Sequence, residues 1–163
     1  MFSLEIVTLA RLLVDEARER SLRIVTAESC TGGLVAGAIC QVSGASDVFE
    51  RGFVTYSNRA KQEMLGVPGD LIADLGAVSE PVARMMAEGA LENSNAHLAV
   101  AITGIAGPAG GTPMKPVGTV HIATARSNQR LMHRQEFFED ETREGIQLAA
   151  VQSALQMLRD RMA

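Results

Sequence analysis

A β-branched run, Leu22-Arg23-Ile24-Val25-Thr26, leads directly into Ala27-Glu28-Ser29-Cys30-Thr31-Gly32-Gly33, and an apolar helical pattern from Leu34 to Ile39 follows. A small hydroxyl residue therefore sits where a strand should end and a helix begin. Such a junction presents free backbone N–H groups and the positive end of a helix dipole. It can hold an anion, or offer a serine nucleophile with an oxyanion site beside it.

The rest of the chain extends this α/β alternation. Ile6, Leu9, Leu13 and Ala17 recur at helical spacing and predict a helix over Leu4–Glu19. A strand to Ala27 and a helix from Thr31 to Gln41 follow, then a loop over Val42–Ser46 and a strand over Glu50–Tyr56. Asn58–Leu65 reads as a short helix closed by Gly66, and Pro68–Leu75 as another closed by Gly76. Ser79 as N-cap with Pro81 in the first turn starts a helix to Asn93, whose buried face carries Val82, Met85, Met86 and Ala90. His97–Thr103 is a strand and Gly104–Pro116 a glycine- and proline-rich loop. Val117–Ala125 and Arg130–Phe138 are close enough to form a hairpin. Asp140 is read as the cap of a last helix with Ile146, Ala150, Ala154 and Leu158 along one stripe. The expected architecture is one domain over residues 1–163, a three-layer α/β/α sandwich with a mixed, mostly parallel sheet and a late β-hairpin.

Bulk properties narrow the function classes. A net charge of −4 and a pI near 5.4 argue against a dominant nucleic-acid surface. With 4% aromatic residues and no Trp, base-stacking platforms are hard to build. The start of the chain has no basic, apolar leader, and no stretch reaches the roughly 20 apolar residues of a membrane span. Cys30 and Cys40 are too far apart for a CxxC pair, so neither a metal site nor a disulfide framework is expected. The expectation is a cytoplasmic protein that binds neither nucleic acid nor membrane and needs no cofactor.

A serine nucleophile needs a base. His97, His121 and His133 all fall inside predicted strands, where they read as core or sheet-face residues. The other base that works with serine is a neutral lysine. Lys61 and Lys115 are the only lysines; Lys61 lies one turn beyond a strand end, whereas Lys115 looks like a solvated loop charge. Burial or a nearby cation, with Arg143 the candidate, would lower the pKa of Lys61. The lone tyrosine, Tyr56, could orient the lysine or relay a proton. Cys30 competes with Ser29 as nucleophile, because a helix N-terminus lowers thiol pKa. Thr103-Gly104 would lie near Ser29 if the two strands are neighbours. Arg143, in the first turn of the last helix, opposes the dipole there, which points to a phosphate grip or to a surface pair with Glu139 or Asp140.

The segments Ala27–Gly33, Phe53–Asn58 with Lys61, Gly76–Glu80, Thr103–Pro108 and Lys115–Val120 together resemble the CinA C-terminal domain family, in order and over nearly the whole chain. That family includes nicotinamide-nucleotide amidohydrolases. The resemblance implies hydrolysis of the carboxamide of nicotinamide mononucleotide to nicotinate mononucleotide and ammonia, in pyridine nucleotide recycling. It implies Ser29 as nucleophile, Lys61 as base, Tyr56 beside them, and no metal. Cys30, Thr31, Gly32, Gly33, Thr103, Gly104 and Arg143 would bind substrate, which makes a small nucleotide the expected partner, in a homo-oligomer. One departure stands out: Gln147 occupies the position of a second arginine in the family's last-helix pattern, and Gly145 lies in the same turn. The alternatives are a non-catalytic nucleotide-binding or regulatory domain linked to competence or DNA damage, and an amidase for another small carboxamide.

Overall fold

A computed structural model describes residues 1–139 and 142–163. Six helices and five strands occur in the order α1 (Leu4–Glu19), β1 (Ile24–Glu28), α2 (Leu34–Cys40), β2 (Phe49–Val54), α3 (Asn58–Leu65), α4 (Gly69–Leu75), α5 (Glu80–Glu92), β3 (Leu98–Gly104), β4 (Thr119–Arg126), β5 (Met132–Phe137) and α6 (Arg143–Asp160). The sheet order is β2-β1-β3-β4-β5. β1 pairs in parallel with both β2 and β3; β4 is antiparallel to β3 and β5 to β4. The fold is the α/β sandwich with a mixed sheet and terminal hairpin that the alternation implies.

Alternation along the strands splits the core in two. Ile24, Leu98, Val100, Ile102, Val120 and Ile122 face α1, α2 and α6, while Val25, Ala27, Ala99, Ala101, Ala123 and Ala125 face α3, α4 and α5. Large side chains fill one face. Small ones on the other let α5 lie close, through Ala83, Ala87 and Ala90. A Cβ at Gly89 of α5 would collide with the Leu65 carbonyl oxygen, so this glycine sets how closely the end of α3 rests on α5. That contact holds α3, the helix that bears Lys61.

Several boundaries differ from expectation. β2 stops at Val54, so Tyr56 lies beyond the strand, 59% exposed rather than half-buried in the sheet. A 3₁₀ turn over Ala45–Asp47 interrupts the expected loop. α2 starts at Leu34 rather than Thr31, because Gly32 and Gly33 adopt positive φ and extend the turn. Asp140, the expected cap of α6, lies outside the described residues; Thr142 is the N-cap, its side chain accepting from the Gly145 N–H. Met85 is only partly buried, whereas Val82, Met86 and Ala90 are buried as the pattern requires. Among the described residues no helix is long and apolar enough to cross a membrane.

Candidate active site

Parallel strands deliver their ends to one edge. Ser29 directly follows β1, Thr55-Tyr56 follow β2, and Thr103-Gly104 end β3. Register sets them side by side: Glu28 lies opposite both Val54 and Ile102, and the Ser29 N–H donates to the Ile102 carbonyl at 2.9 Å. The carboxyl ends of β1 and β3, with α2 and α5 on opposite faces, form the crevice where open α/β sheets bind ligands.

Lys61 reaches this edge from α3. Its Nζ donates to Ser29 Oγ at 3.0 Å, to the Thr55 carbonyl at 2.9 Å and to the Tyr56 carbonyl at 3.3 Å. The residue is 1% exposed, and among the described residues it forms no ion pair. Burial without a carboxylate pushes its pKa below the ordinary lysine value; a weak opposing effect comes from Cys30. Burial is thus the cause, and Arg143 is not the cation that lowers it. An amine with a lowered pKa, hydrogen-bonded to a hydroxyl, is the arrangement that general-base activation of a hydroxyl requires.

The turn carrying Ser29 is held by a residue that motif reading passed over. Glu28 is fully buried; one carboxylate oxygen accepts from the Thr31 hydroxyl at 2.6 Å and the Val35 N–H at 2.9 Å, and the other from the Ala36 N–H at 3.0 Å. The positive end of α2 is therefore already occupied by this side chain. The Thr31 hydroxyl serves Glu28, and Gly32 and Gly33 shape the turn, so no side chain of the three lines the cleft beside Ser29. Cys30 does line it, but burial drives its thiol pKa up to about 12. A thiol that resists ionisation is a poor nucleophile. A Cβ at Gly104 would come within 3.1 Å of Cys30 Sγ, so only glycine lets the end of β3 pass so close to the turn.

Ser29 and Lys61 open into a cleft of about 270 Å³ whose lining includes Thr103, Gly104 and Arg143. Thr103 lends mainly backbone, since its hydroxyl donates to the Ala77 carbonyl at 2.9 Å. Arg143 donates to the Gly107 carbonyl at 2.6 Å and to the Tyr56 hydroxyl at 2.8 Å; among the described residues it pairs with no carboxylate, and Asp140, one of the two acidic partners expected for it, lies outside them. The Tyr56 hydroxyl thus accepts from Arg143, while the Tyr56 backbone carbonyl accepts from Lys61. Among the described residues the lining holds the basic groups Lys61 and Arg143 and no carboxylate, which suits an anionic ligand. Asn58 also lines the cleft and carried no signal of its own in the sequence. A larger hollow of about 370 Å³ between α1 and α2 contains no such arrangement.

The remaining candidates lie elsewhere. His97 precedes β3, is exposed, and accepts the Arg23 N–H through Nδ1 at 2.8 Å. His121 and His133 pair across β4 and β5, and none of the three histidines lines the cleft. Lys115 is half-buried rather than solvated; its Nζ donates to the Leu75 carbonyl at 2.6 Å and ties the glycine-rich loop to the end of α4. Among the described residues no group of three or more His, Cys, Asp or Glu is arranged to hold a metal ion.

Comparison with known proteins bears on the same residues. The model of the CinA C-terminal domain matches residues 6–162. The chain belongs to this family. Over 150 residues it is 47% identical to a CinA-like protein of Syntrophobacter fumaroxidans, covering 92% of this chain and 35% of that protein. A putative competence-damage inducible protein of Symbiobacterium thermophilum is 64% identical over 107 residues, covering 66% of this chain and 25% of the relative. The chain thus spans about a third or less of the length of these curated relatives. Among solved structures, the competence/damage inducible protein CihA from Agrobacterium tumefaciens superposes with a TM-score of 0.97 at 48% identity, over 98% of this chain and 97% of that one. A CinA superfamily protein from Klebsiella pneumoniae gives 0.91 at 33% identity, over 96% and 97%. As a CinA C-terminal domain, the chain is a member of a competence/damage-inducible family.

Proposed function

We propose that this CinA C-terminal domain is an amidohydrolase that converts nicotinamide mononucleotide to nicotinate mononucleotide and ammonia, with Ser29 as nucleophile and Lys61 as base. The observation that carries the reading is the 3.0 Å hydrogen bond between Lys61 Nζ and Ser29 Oγ, with the amine buried and, among the described residues, paired with no carboxylate. Neutral Lys61 takes the hydroxyl proton as Ser29 Oγ bonds to the carboxamide carbon. The carbonyl oxygen becomes an oxyanion. Protonated Lys61 then gives its proton to the departing nitrogen, the C–N bond breaks and ammonia leaves. Water, deprotonated by the same amine, attacks the acyl-serine; the ester bond breaks, and the proton returns to Ser29.

Backbone donors for the oxyanion are limited by the bonds already formed. Val35 and Ala36 N–H groups serve Glu28, the Gly32 N–H serves the Ser29 carbonyl, and the Leu34 N–H serves the Thr31 carbonyl. Among the described residues the Cys30, Thr31 and Gly33 N–H groups donate to no carbonyl, and the first two, nearest Ser29 in the chain, are the donors this mechanism uses. One such donor typically contributes about 10²–10³ in rate. Arg143 supports the reading at the other end of the substrate, since its exposed guanidinium can exchange the Gly107 carbonyl for a phosphate oxygen.

The test is ammonia release over a panel of nicotinamide derivatives and unrelated primary carboxamides, with wild type and Ser29→Ala compared. Turnover of the mononucleotide by wild type alone is the expected result. A preference for another carboxamide would make the domain a different amidase. Mononucleotide binding without turnover would make it a nucleotide-binding module, and undiminished turnover by Ser29→Ala would remove the serine from the mechanism.

A further inference from the structure

One face of α6 grips the active-site turn, and this grip lies outside the reaction as written. Arg143 and Gln147 are four residues apart on the helix, so they project from the same side, one turn apart. Arg143 holds the Gly107 carbonyl and the Tyr56 hydroxyl; Gln147 Nε2 donates to the Cys30 carbonyl at 3.0 Å. The Gln147 side chain is half-buried and reaches across 117 positions of sequence to the residue after Ser29.

That carbonyl belongs to the peptide whose other end is the Thr31 N–H. A peptide unit is planar, so fixing its oxygen fixes the direction of its hydrogen. The preceding peptide is fixed in the same way: the Ser29 carbonyl accepts the Gly32 N–H at 3.0 Å, which orients the Cys30 N–H. Two consecutive peptides are therefore clamped at their oxygens, and among the described residues neither of their N–H groups donates to a carbonyl. The first clamp is made by the turn itself. Among the described residues the second comes only from Gln147.

We propose that Gln147 is a positioning residue: by donating to the Cys30 carbonyl it aims the Thr31 N–H at the oxyanion formed when Ser29 is acylated. The inference rests on Ser29 being the nucleophile. Its donation also polarises the peptide, which makes the N–H a stronger donor. Glutamine suits this task because its amide is neutral: it adds a donor at a half-buried position beside the turn without burying a charge.

The experiment compares wild type, Gln147→Leu and Gln147→Lys. Leucine keeps the bulk and removes the donor; lysine restores a donor. The mononucleotide reaction gives kcat and KM, a fluorophosphonate probe gives the rate of Ser29 modification, and thermal melting reports the fold. Gln147→Leu should lower kcat about 10- to 100-fold, a fraction of the loss from deleting one oxyanion donor. Its KM should stay within about twofold and its probe reaction should slow in parallel with kcat, because only the transition state uses the aimed N–H. Gln147→Lys should recover most of the loss. Unchanged kcat and labelling in Gln147→Leu would overturn the inference, as would equal losses in the leucine and lysine variants. A wild type that labels at Ser29 but turns over no mononucleotide would overturn the proposed substrate alone, and relative labelling rates would still decide the role of Gln147. A wild type that does neither would overturn both.

Discussion

Two hydrogen-bonded pairs on the sheet each contain a titratable group whose pKa burial lowers, and of the two only one opens into the cleft. Ser29 and Lys61 meet at 3.0 Å at the carboxyl ends of parallel strands; His121 Nδ1 and His133 Nε2 meet at 2.9 Å across the terminal hairpin. Burial lowers the pKa of Lys61 and of both histidines. The difference is what surrounds them. Lys61 faces a hydroxyl and two carbonyls and, among the described residues, pairs with no acid, with the Cys30 thiol as a weak opposing influence on its lowered pKa, and the pair lines the cleft. The histidine rings stack with centroids 5.1 Å apart, and the outer one faces Glu80, which is itself bound by Arg84. A low pKa by itself does not mark a catalytic group; one beside a nucleophile in an open cleft does.

Lys61 gives the sharpest test of that contrast. Lys61→Met and Lys61→Arg should each reduce kcat by about 10³-fold or more, since methionine has no base and arginine stays protonated. Stability should move the other way. The folded pKa of Lys61 lies below its unfolded value, so between the two the unfolded chain binds more protons and stability rises with pH. Below the folded value the cost of charging a buried amine is felt in full. Lys61→Met removes that cost and should melt no lower than wild type at pH 7, although the Thr55 and Tyr56 carbonyls lose a donor. For the same reason kcat/KM should rise with pH to a plateau at a pH below that of an ordinary lysine. A wild-type level of activity in the arginine variant would make Lys61 a fixed positive charge, and the contrast with the histidines would fail.

Arg143 should matter less, and chiefly for binding. Removing a charged hydrogen-bond donor typically costs about 1.5–3 kcal/mol, so Arg143→Ala should raise KM for the mononucleotide about 10- to 100-fold. The nucleoside lacking phosphate should lose little. Equal losses for both substrates would mean that Arg143 holds Tyr56 and Gly107 in place and does not read phosphate. Cys30→Ala should stay within about threefold of wild type, because a thiol whose pKa burial raises to about 12 resists ionisation. Loss of activity there with Ser29→Ala still active would move the chemistry to sulfur.

Local signals carried much of this molecule. Periodicity bounded α1 at Leu4–Glu19, and Ser79 with Pro81 marked the start of α5. The strand-to-turn motif put Ser29 at an exposed strand end, and the scarcity of lysine singled out Lys61. Signals that depend on packing were not legible. Glu28 reads as one residue of a motif until its carboxylate is seen on the α2 N–H groups. Tyr56 looked like a strand residue because its neighbours are β-formers, but β2 ends two positions earlier and its hydroxyl goes to Arg143. Gln147 was visible only as a departure from a pattern; its partner, 117 positions away, is fixed by how α6 docks on the sheet. Lys115 looked free because the Leu75 carbonyl that it binds lies 40 positions upstream. In each case the deciding contact is long-range, and nothing in the neighbouring sequence encodes it.

The histidine pair gives the smallest expected effect and tests the other half of the contrast. Burial, His133 and Lys115 push His121 down to about 4, while Glu80 opposes them; His133 is lowered by burial and Arg84 against the same Glu80. A folded pKa below the unfolded value means that the unfolded chain takes up protons first as pH falls. The contribution of His121 is therefore complete above about pH 6.5 and is lost progressively toward pH 4. His121→Phe keeps a ring against His133 but removes this titration. Between pH 7 and pH 5 the variant should lose less stability than wild type, by on the order of 1 kcal/mol or about 2–4 °C in Tm. Its kcat and KM at pH 7 should match wild type, since His121 does not line the cleft. Parallel melting curves across that range would show that the pair does not titrate on unfolding. A fall in kcat at constant KM would show that the hairpin, through the Thr103 to His121 register, does reach the cleft after all.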